Sequence, residues 1–377
     1  MRIVQVTPFF HPHAGGVESH VRGVVRELTR EGHDVTVVTS RYDRNLPVEE
    51  ETEGYRILRS RTLGVVLDTP IDVGTRRVLR GLSPDVFHLH YPPPLTSYFA
   101  TRELAHRKVP VCLTYHCDLF LPGIAGRLIA GLYQTVFVPS TLDRTSRIVV
   151  HTKSYGSTSA ALRGREMTVI PSAVDLERFR PGLDASQLRS DLKLEGKQVL
   201  VFTGRLVPHK GVDVILRALV ELPRSVTLVV VGVGPRLPTL VGLARRLDVD
   251  DRVRFCPAVS DEDLPRYLAL GDAFVFPSQN RLEGFGLVVA EAMASGLPVV
   301  IADMPGVREV IEPGVEGLLA EPLIANDLAT KIQMILDDPA TRKRMGKAGR
   351  ERAEARYALP VVARSLVRLY EGLNAAG

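Results

Sequence analysis

The chain has few cysteines and no long apolar run, and both absences narrow what it can be. Its 377 residues include three cysteines, Cys112, Cys117 and Cys256. Their number is odd and their spacing matches no tight metal-ligand pattern, so we expect free thiols in a reducing compartment. No run of about 18 uncharged apolar residues occurs, which predicts no transmembrane helix. Because the opening MRIVQVTPFF reads as a strand and lacks the regions of a signal peptide, we expect a cytoplasmic protein, either free or attached to the inner face of the cell membrane.

Two further signatures are missing. Residues 1–180 carry 23 Lys and Arg against 18 Asp and Glu, whereas residues 181–377 carry 25 of each. This modest excess comes without an aromatic-rich basic motif, so we expect no nucleic-acid partner. An anionic lipid surface or a phosphorylated acceptor fits the charge as well. The glycine fingerprint of dinucleotide-binding proteins is absent from both halves, which disfavours a nicotinamide-dependent dehydrogenase.

The sequence does contain a regular alternation of short apolar runs and helical patterns. RIVQVT, a helix from about Val17 to Arg30 and DVTVVT form one β-α-β unit, and DVFHLH, VCLTYH and SRIVVHT continue the series. A second series begins with KQVLVFTGR and includes SVTLVVVG, DAFVFPS and LPVVIA. Apolar strands that alternate with helices predict an α/β protein whose parallel sheets are covered on both faces.

A polar stretch separates the two series. Between Ser172 and Gly196 no strand pattern occurs, and Pro181 and Gly182 interrupt the chain. We therefore predict two doubly wound domains, residues 1–175 and 197–357, joined by a linker over 176–196. A C-terminal helix over 358–377 is expected to pack back toward the first domain. Because such sheets bind ligands at the carboxyl ends of their strands, we expect the domains to face each other across a cleft.

Glycines and long cations follow two of the predicted strands. Gly15 and Gly16 open the first helix, and Arg205 and Lys210 follow the first strand of the second series. Backbone N–H groups at a helix N-terminus, together with two cations, suit a diphosphate. Each feature alone has a simpler explanation, as a turn or as a solvated charge. Their occurrence at corresponding strand ends favours a shared ligand.

The stretch LEGFGLVVAE places Glu283 and Glu291 eight positions apart. Eight residues are a little over two helical turns, so both side chains lie near one face of the element. Gly284 and Gly286 leave N–H groups unshielded at a helix start, which suits an anion or a hydroxyl-rich ligand. The alternative is that Glu283 only stabilises the helix dipole.

Taken together, GGVESH, TYHCD, GRLVPHKG and LEGFGLVVAE resemble the retaining GT-B glycosyltransferases of family 4 over nearly the full length. The resemblance implies two Rossmann-like domains facing across a cleft, with the nucleoside-diphosphate sugar bound mainly by the second and the hydroxyl acceptor mainly by the first. It also implies transfer of a hexose or an N-acetylhexosamine with retention of configuration. The motif FFHPHAGGVESHV is similar to that of the subunit that transfers N-acetylglucosamine to phosphatidylinositol, and the wider pattern resembles bacterial phosphatidylinositol mannosyltransferases. The resemblance leaves several acceptors open: an inositol phospholipid, another lipid-linked hydroxyl or a glycan hydroxyl. A lipid acceptor would imply peripheral contact with an anionic membrane surface. The base of the donor nucleotide does not follow from the motifs.

The resemblance also implies roles for individual residues. Arg205 and Lys210 would neutralise the donor diphosphate, Glu283 would bind hydroxyls of the transferred sugar, and Glu291 would hold the ribose. The catalytic set is His116, Arg205, Lys210 and Glu283. The further donor contacts are Gly15, Gly16, Gly232, Gly234, Gly284, Phe285, Gly286 and Glu291, and the acceptor side comprises His88, His90, Tyr115 and Asp118. No cofactor and no metal are expected, and the departing phosphate would deprotonate the acceptor.

Several alternatives remain at this point. A nucleotide-sugar 2-epimerase shares the fold, and a sugar-nucleotide binder without catalysis would keep the same motifs. The DVD sequence at Asp248–Asp250 resembles a metal-binding signature but lies in a turn, so we predict that it binds no metal. The segment GIAGRLIAGLYQTVF is either a membrane-docking helix or a core helix. Its apolar stripe and neighbouring cations are Ile124, Leu128, Leu132, Phe137, Arg127 and Arg144.

Overall fold

The computed structural model of the chain describes residues 1–13, 15–66, 69–92, 94–119, 123–257 and 259–376. They form two compact units. The first comprises Met1–Ala173 together with Leu359–Gly377, and the second comprises Val174–Ala358.

Strands and helices alternate through the first unit. Its strands are β1 (Arg2–Val6), β2 (Asp34–Ser40), β3 (Glu49–Thr52), β4 (Tyr55–Ser60), β5 (Thr62–Val66), β6 (Thr69–Asp72), β7 (Val86–Tyr91), β8 (Val111–Tyr115), β9 (Arg147–Val150) and β10 (Met167–Val169). Its helices are α1 (Gly16–Arg30), α2 (Thr75–Arg80), α3 (Pro94–Leu104), α4 (Gly123–Leu132), α5 (Val138–Leu142) and α6 (Lys153–Thr158).

Eight of these strands form one sheet, in the order β10-β9-β8-β7-β1-β2-β4-β3, and β5 and β6 form a separate antiparallel hairpin. Within the sheet only β3 runs antiparallel to its neighbour. The chain moves outward from β1 through β2 to β4 and then returns to β7 on the other side. The topological switch point therefore lies between β1 and β7, where open α/β sheets bind ligands.

The alternation of residues along β7 decides which face of the sheet each side chain enters. Phe87, Leu89 and Tyr91 join a core shared with α2, α3 and α5. His88 and His90 point to the other face, since successive strand residues alternate. That second face is covered by α1 and by the C-terminal helix, so the two histidines are buried although they are polar.

The second unit repeats the plan with a smaller sheet. Its strands are β11 (Gln198–Thr203), β12 (Val226–Val231), β13 (Val253–Cys256), β14 (Ala273–Phe276), β15 (Val299–Ala302) and β16 (Gly317–Ala320). Its helices are α7 (Ser186–Asp191), α8 (Val212–Glu221), α9 (Leu237–Arg246), α10 (Leu264–Leu268), α11 (Leu287–Ala294), α12 (Ala325–Leu336) and α13 (Pro339–Arg352). The last helix, α14 (Leu359–Ala376), returns to the first unit.

All six strands of the second sheet are parallel, in the order β13-β12-β11-β14-β15-β16. Each residue of β12 is buried, as a parallel strand covered on both faces requires. The switch point lies between β11 and β14. The predicted fold class, two doubly wound parallel α/β sheets, is confirmed.

The segment 176–196 differs from the predicted linker. It belongs to the second unit, where Phe179 and Leu194 are buried in the core. The Arg189 side chain donates hydrogen bonds to the carbonyl oxygens of Leu194 and Leu270, which holds α7 to the unit. Polar composition concealed these two apolar anchors, and the segment predicted as a linker forms part of the second unit.

Candidate functional site

The loops that follow β11 and β14 meet at the switch point of the second unit. Lys210, in the loop after β11, forms an ion pair with Glu283, in the loop after β14. The Lys210 Nζ atom also lies 4.8 Å from the centre of the Phe276 ring. The pair is largely shielded, since the side chains of Lys210 and Glu283 are 16% and 14% exposed. Two residues predicted to bind the donor are therefore in direct contact.

Glycines allow these loops to pack against each other. A Cβ atom on Gly211 would lie 2.1 Å from the Pro277 carbonyl oxygen, and one on Gly232 would lie 2.0 Å from the Gly204 carbonyl oxygen. Both positions also have left-handed or otherwise positive φ angles, 74° and 145°, which favour glycine. The close approach brings the loops after β11, β12 and β14 to one edge of the sheet.

Gly234 and Gly306 serve the same packing. A Cβ atom on Gly234 would lie 2.4 Å from the Leu206 carbonyl oxygen, and one on Gly306 would lie 2.7 Å from that of Gly284. Gly234 thus joins the predicted donor loop to the loop after β11. A side chain at Gly234 would push the loop after β12 away from the loop that carries Lys210, and one at Gly306 would push the loop after β15 away from the loop that carries Glu283.

His209 lies beside the cations at the switch point of the second sheet and links the two loops. Burial, reinforced by the neighbouring Lys210 and Arg205 cations, lowers the pKa of His209 to about 4, against a smaller opposing effect of Glu283. Its carbonyl oxygen accepts hydrogen bonds from Gln279 N (2.7 Å) and Ser278 Oγ (3.3 Å). The two loops are therefore linked by backbone contacts as well as by the ion pair, and His209 itself stays neutral at physiological pH.

The glycine turn before α11 presents a helix N-terminus. Gly286 adopts a left-handed conformation with a φ of 81° and precedes the first residue of the helix. The first N–H groups of a helix lack partners within it, so an anion or hydroxyl is a suitable partner there. The Phe285 ring, however, is buried and packs edge-on against Tyr357 at 5.4 Å. The ring of Phe285 is therefore part of the core, and a donor contact at this predicted position would involve its backbone.

Glu291 is the second carboxylate of the predicted pair. It is buried, and burial raises its pKa to about 7, with Arg178 opposing and Asp261 adding to the increase. No hydrogen bond to its carboxylate occurs within the described part of the chain. A buried carboxylate without such a bond is a suitable acceptor for the hydroxyl groups of a ligand.

The first unit presents its own glycine turn after β1. Helix α1 begins at Gly16, and the Ser19 N–H donates to the Gly15 carbonyl oxygen. The Glu18 carboxylate lies over this turn: a Cβ atom on Gly15 would be 2.2 Å from Glu18 Oε2. Glu18 Oε1 is in turn 3.0 Å from His13 Nδ1. An anionic ligand at this helix start would therefore meet Glu18 as well as the backbone N–H groups.

Five buried histidines gather on the face of the first sheet that α1 and α14 cover. Neighbouring rings in this group have centroids 4.7–6.4 Å apart. Burial is the main cause that lowers the pKa of every one of them, to about 3 for His88 and about 4 for His151. We call this group the histidine cluster, and its members are His20, His88, His90, His116 and His151.

Three members form a continuous hydrogen-bonded chain. His151 Nδ1 donates to the Ile170 carbonyl oxygen at 3.0 Å, and His151 Nε2 lies 2.9 Å from His116 Nδ1. His116 Nε2 lies 3.0 Å from His90 Nδ1, and His90 Nε2 lies 2.8 Å from the Gln5 Oε1 atom. Three neutral rings supply three N–H groups for these four contacts. A neutral chain is complete when the Gln5 amide turns its NH₂ group toward His90.

The chain continues to the C-terminal helix. Gln5 Nε2 lies 3.3 Å from the Tyr370 hydroxyl, which is 2.5 Å from His88 Nδ1, and His88 Nε2 is 2.7 Å from Thr114 Oγ1. With the Gln5 amide turned, the Tyr370 hydroxyl donates to Gln5 and accepts from His88. Every polar group along the chain is then satisfied without a charge, as burial demands.

This arrangement changes the interpretation of the predicted acceptor residues. His88 and His90 are 1% and 2% exposed and bond to other buried groups, so they do not line a binding surface, and that prediction was wrong. His116 is 7% exposed. Both of its ring nitrogens contact other histidines, so a substrate hydroxyl would have to replace one of these bonds.

Tyr115 and Asp118, the other two predicted acceptor residues, differ in their exposure. The Tyr115 ring is buried and stacks on Tyr91 at 4.6 Å, so its side chain is a core residue and not an acceptor contact. Asp118 is half-buried, and its Oδ1 accepts hydrogen bonds from the Tyr115 hydroxyl (3.0 Å) and from Ser159 Oγ (2.6 Å). Asp118 alone of the predicted acceptor group is partly accessible.

Two members of the cluster, His20 and His151, and its hydrogen-bond partners Gln5 and Tyr370 were not predicted from the sequence. His151 stands at the end of the predicted strand SRIVVHT, as His116 does after VCLTY. Because His116 and His151 stand at equivalent positions at the ends of neighbouring parallel strands, they could have been predicted to lie close together. No such signal exists for Tyr370, because α14 lies far along the chain.

The segment that begins at Gly123 leaves apolar side chains in solvent. Leu128, Leu132 and Val136, each four residues apart, are 72%, 54% and 50% exposed. Phe137 instead packs edge-on against Tyr98 at 4.8 Å and is off this exposed row. The alternative of a core helix is therefore wrong for Leu128 and Leu132. The side chains of Ile124 and Arg127 lie outside the described residues.

The DVD motif has a structural partner. Arg224 pairs with Asp248 at 3.3 Å and with Asp251 at 3.8 Å, and Asp250 begins a short helical turn. Within the described ranges, no group of three or more metal-binding side chains comes together. The aspartates are placed on the surface before β13 and away from the switch point.

Two family models match the chain, one mainly over the first unit and one over the second. The model of Glycosyltransferase Family 4 matches residues 14–178, and that of Glycosyl transferases group 1 matches residues 184–352. The second match spans the loops that carry Lys210 and Glu283 and the helix α11, which carries Glu291.

Relatives match over nearly the whole length. The chain is 30% identical over 358 residues to a GDP-mannose-dependent alpha-(1-6)-phosphatidylinositol monomannoside mannosyltransferase of Mycolicibacterium smegmatis, covering 92% of each chain. It is 36% identical over 370 residues to a D-inositol 3-phosphate glycosyltransferase of Mycobacterium sp. strain KMS, covering 90% of this chain and 83% of the relative. Among solved structures, sucrose-phosphate synthase from Thermosynechococcus elongatus is similar in fold, with a TM-score of 0.83, 24% identity and 100% of both chains covered.

Proposed function

This chain belongs to the family 4 glycosyltransferases of the GT-B fold, and from that premise we propose that it moves a hexose from a nucleoside-diphosphate sugar to a hydroxyl of an inositol phospholipid. The second unit would hold the donor and the first unit the acceptor. The proposal includes retention of configuration at the transferred sugar, as the family implies.

One observation carries the donor half of the proposal: the Lys210–Glu283 pair at the switch point of the second sheet. Open α/β sheets bind ligands at such points. Departure of a nucleoside diphosphate develops negative charge, and fixed cations in a shielded site stabilise that charge by several kcal/mol. Lys210 supplies one cation, held by Glu283, and Arg205 in the same loop would supply the second.

The reaction then needs few further groups. The bond between the sugar anomeric carbon and the diphosphate oxygen breaks, and the acceptor hydroxyl oxygen forms a new bond on the same face. The acceptor proton passes to the departing phosphate oxygen, so no protein base is required. Glu283 would bind hydroxyls of the sugar, and Glu291 would bind the ribose. With Lys210 and Arg205 serving the diphosphate, no metal would be needed.

The substrates follow from the relatives as hypotheses. A relative that matches over 92% of this chain is named for GDP-mannose and for phosphatidylinositol monomannoside. Another relative is named for D-inositol 3-phosphate. We therefore propose GDP-mannose as the first donor to test and a phosphorylated inositol as the head of the acceptor.

Contact with a membrane is the remaining part of the proposal. No helix among the described residues has the length and apolarity to cross a bilayer. The exposed row Leu128, Leu132 and Val136 would instead lie in the interface of a membrane, as apolar faces of peripheral helices do. Arg144 is exposed near this segment and would face anionic lipid headgroups. This surface would place the protein at the inner face of the cell membrane.

The test is a panel of nucleotide sugars incubated with the protein, alone and with vesicles that contain phosphatidylinositol. We expect slow hydrolysis of one donor, GDP-mannose first, and faster consumption with a glycosylated lipid product when vesicles are present. Hydrolysis without transfer would support the donor site and contradict the assignment of the lipid acceptor. Absence of both reactions with every donor would contradict the proposal.

A further inference from the structure

A cationic cavity opens in the first unit, outside the residues assigned so far. Its volume is about 470 Å³, and its lining includes four arginines and two apolar side chains. Among the described residues, the lining contains no acidic side chain. We call it the arginine cavity, and these residues are Arg41, Arg44, Arg59, Arg61, Val48 and Leu63.

The cavity lies at the carboxyl edge of the first sheet. Arg41 follows the last residue of β2 and Arg61 follows the last residue of β4, and these strands are parallel neighbours paired up to Ser40 and Ser60. The Arg59 Nη2 atom donates to the His11 carbonyl oxygen at 3.2 Å, in the loop that leads to Gly15 and Gly16. The cavity thus shares a wall with the loop at the switch point of this unit.

The charges of the four arginines are not equally compensated. Arg59 is buried and pairs with Glu50 at 2.8 Å. Arg41 is held by the carbonyl oxygens of Leu46 and Arg44, both at 2.6 Å, which satisfy hydrogen bonds but leave the charge. Arg44 and Arg61 are exposed, and their guanidinium groups make no hydrogen bond or ion pair in the described ranges. Arg41, Arg44 and Arg61 therefore give the cavity an uncompensated positive charge suited to a phosphate group.

Beside the cavity, strand β5 of the β5–β6 hairpin exposes apolar side chains. Leu63 and Val66 on β5 are 61% and 58% exposed, and Val48 on the opposite rim is 59% exposed. Large side chains at this exposure, grouped next to a cationic cavity, are typical of a surface that meets both the headgroups and the acyl chains of a membrane. A soluble phosphate alone would not require this apolar rim.

We propose that the arginine cavity binds the phosphate of the phospholipid acceptor while the β5–β6 hairpin contacts the acyl region. This inference rests on the proposed function for the identity of the acceptor, but the phosphate site itself depends only on the cavity. Phosphate held at the carboxyl edge would bring the attached inositol toward the switch point. The residues that carry the site are Arg44 and Arg61, with Leu63 and Val66 as the lipid contacts.

Binding is measured with two probes: phosphatidylcholine vesicles with and without phosphatidylinositol, and soluble glycerophosphoinositol. The double variant Arg44→Gln with Arg61→Gln removes the two exposed charges and leaves the buried Arg59 intact. We expect it to weaken binding of both probes by about tenfold or more, since each charged hydrogen bond to a phosphate is lost. Arg163→Gln is the matched control, because Arg163 is exposed near β10 at the opposite edge of the sheet.

The hairpin is tested separately. Leu63→Ser with Val66→Ser is expected to lose vesicle binding and to keep the affinity for glycerophosphoinositol. Val169→Ser on β10, 46% exposed, is the apolar control. Equal binding by the arginine variant and its control would overturn the phosphate site. Binding of glycerophosphoinositol without any preference for vesicles would overturn the assignment to a lipid.

Hydrolysis of the nucleotide-sugar donor without acceptor distinguishes this inference from the proposed function. We expect the Arg44→Gln, Arg61→Gln variant to hydrolyse the donor as the wild type does, and to lose only transfer to phosphatidylinositol. If the wild type binds the vesicles through these arginines but neither hydrolyses nor transfers any sugar, the proposed function fails and the cavity stands. If transfer to phosphatidylinositol is unchanged in the variant, the cavity assignment fails and the proposed function stands.

Discussion

Lowering the pH is expected to destabilise the first unit through its histidine cluster. Burial lowers the pKa of each member below its usual value, to about 3 for His88 and about 4 for His151. In the unfolded chain each histidine titrates near its ordinary pKa of about 6.5. Below that pH the unfolded state binds more protons than the folded state, so stability falls as the pH falls and is fully present above about pH 7.

The magnitude follows from this difference. Between about pH 7.5 and pH 5.5, a histidine that stays neutral in the folded state costs about 1.4 kcal/mol of stability. His88 and His151 together would cost about 3 kcal/mol, and the other three buried histidines lower the stability further in the same direction. A domain of ordinary stability has roughly 5–15 kcal/mol in total. We therefore expect the first unit to lose a substantial part of its stability by about pH 5.5.

Urea unfolding at a series of pH values checks this expectation. Hydrogen exchange is followed in β7 and β8 for the first unit and in β12 for the second, which holds only one of the ten histidines, His209. His88→Gln should reduce the acid dependence by about one proton, whereas His106→Gln, at an exposed position, should not. An unfolding free energy of the first unit that is constant from pH 7.5 to 5.5, or equal slopes in the two variants, would refute the reasoning.

The remaining predictions concern the donor site. Glu283→Gln should mainly lower turnover and Glu291→Gln should mainly weaken binding of the nucleoside diphosphate in calorimetry, because sugar contacts change as the bond breaks while ribose contacts do not; equal losses would mean that the roles are reversed or structural. Since burial raises the pKa of Glu291 to about 7, nucleotide affinity should increase from pH 6 to pH 8 as the carboxylate ionises, and Glu291→Gln should abolish that increase; the same pH profile in both proteins would contradict the assignment. Transferase activity should survive EDTA, because Lys210 and Arg205 neutralise the diphosphate. Activity that is lost with EDTA and restored by Mg²⁺ or Mn²⁺ would instead support a metal site at Asp248–Asp250.

The order of most elements could be predicted from the sequence because most strands are short apolar runs; β3, with the sequence EEET, is not, and it was not predicted. The switch-point residues were also accessible in this way: Lys210 and Glu283 follow strands that the topology makes neighbours, and they form a pair in the structure. Doubly wound sheets place such loops at one edge whatever the detailed packing. The element order alone therefore places Lys210 and Glu283 at the same edge of the sheet.

The features that could not be predicted from the sequence depend on packing between distant segments. The segment 176–196 looks like a linker by composition, yet Phe179 and Leu194 anchor it in a core. The alternation in β7 indicated that His88 and His90 share a face, but not that α14 covers that face. The contact that buries His88 comes from Tyr370, which is 282 residues away in the chain. No local pattern predicts a contact at that distance.

The central claim, that the second unit binds the donor diphosphate through the loop after β11, is tested most directly by calorimetry with the nucleoside diphosphate and with the nucleoside alone. Lys210→Ala and Arg205→Ala are compared with Arg245→Ala, a change at an exposed position on α9. We expect the first two variants to lose affinity for the diphosphate by about 30- to 1,000-fold, equivalent to about 2–4 kcal/mol, and to keep affinity for the nucleoside. Diphosphate binding that is unchanged in both variants, or lost equally in Arg245→Ala, would contradict the claim.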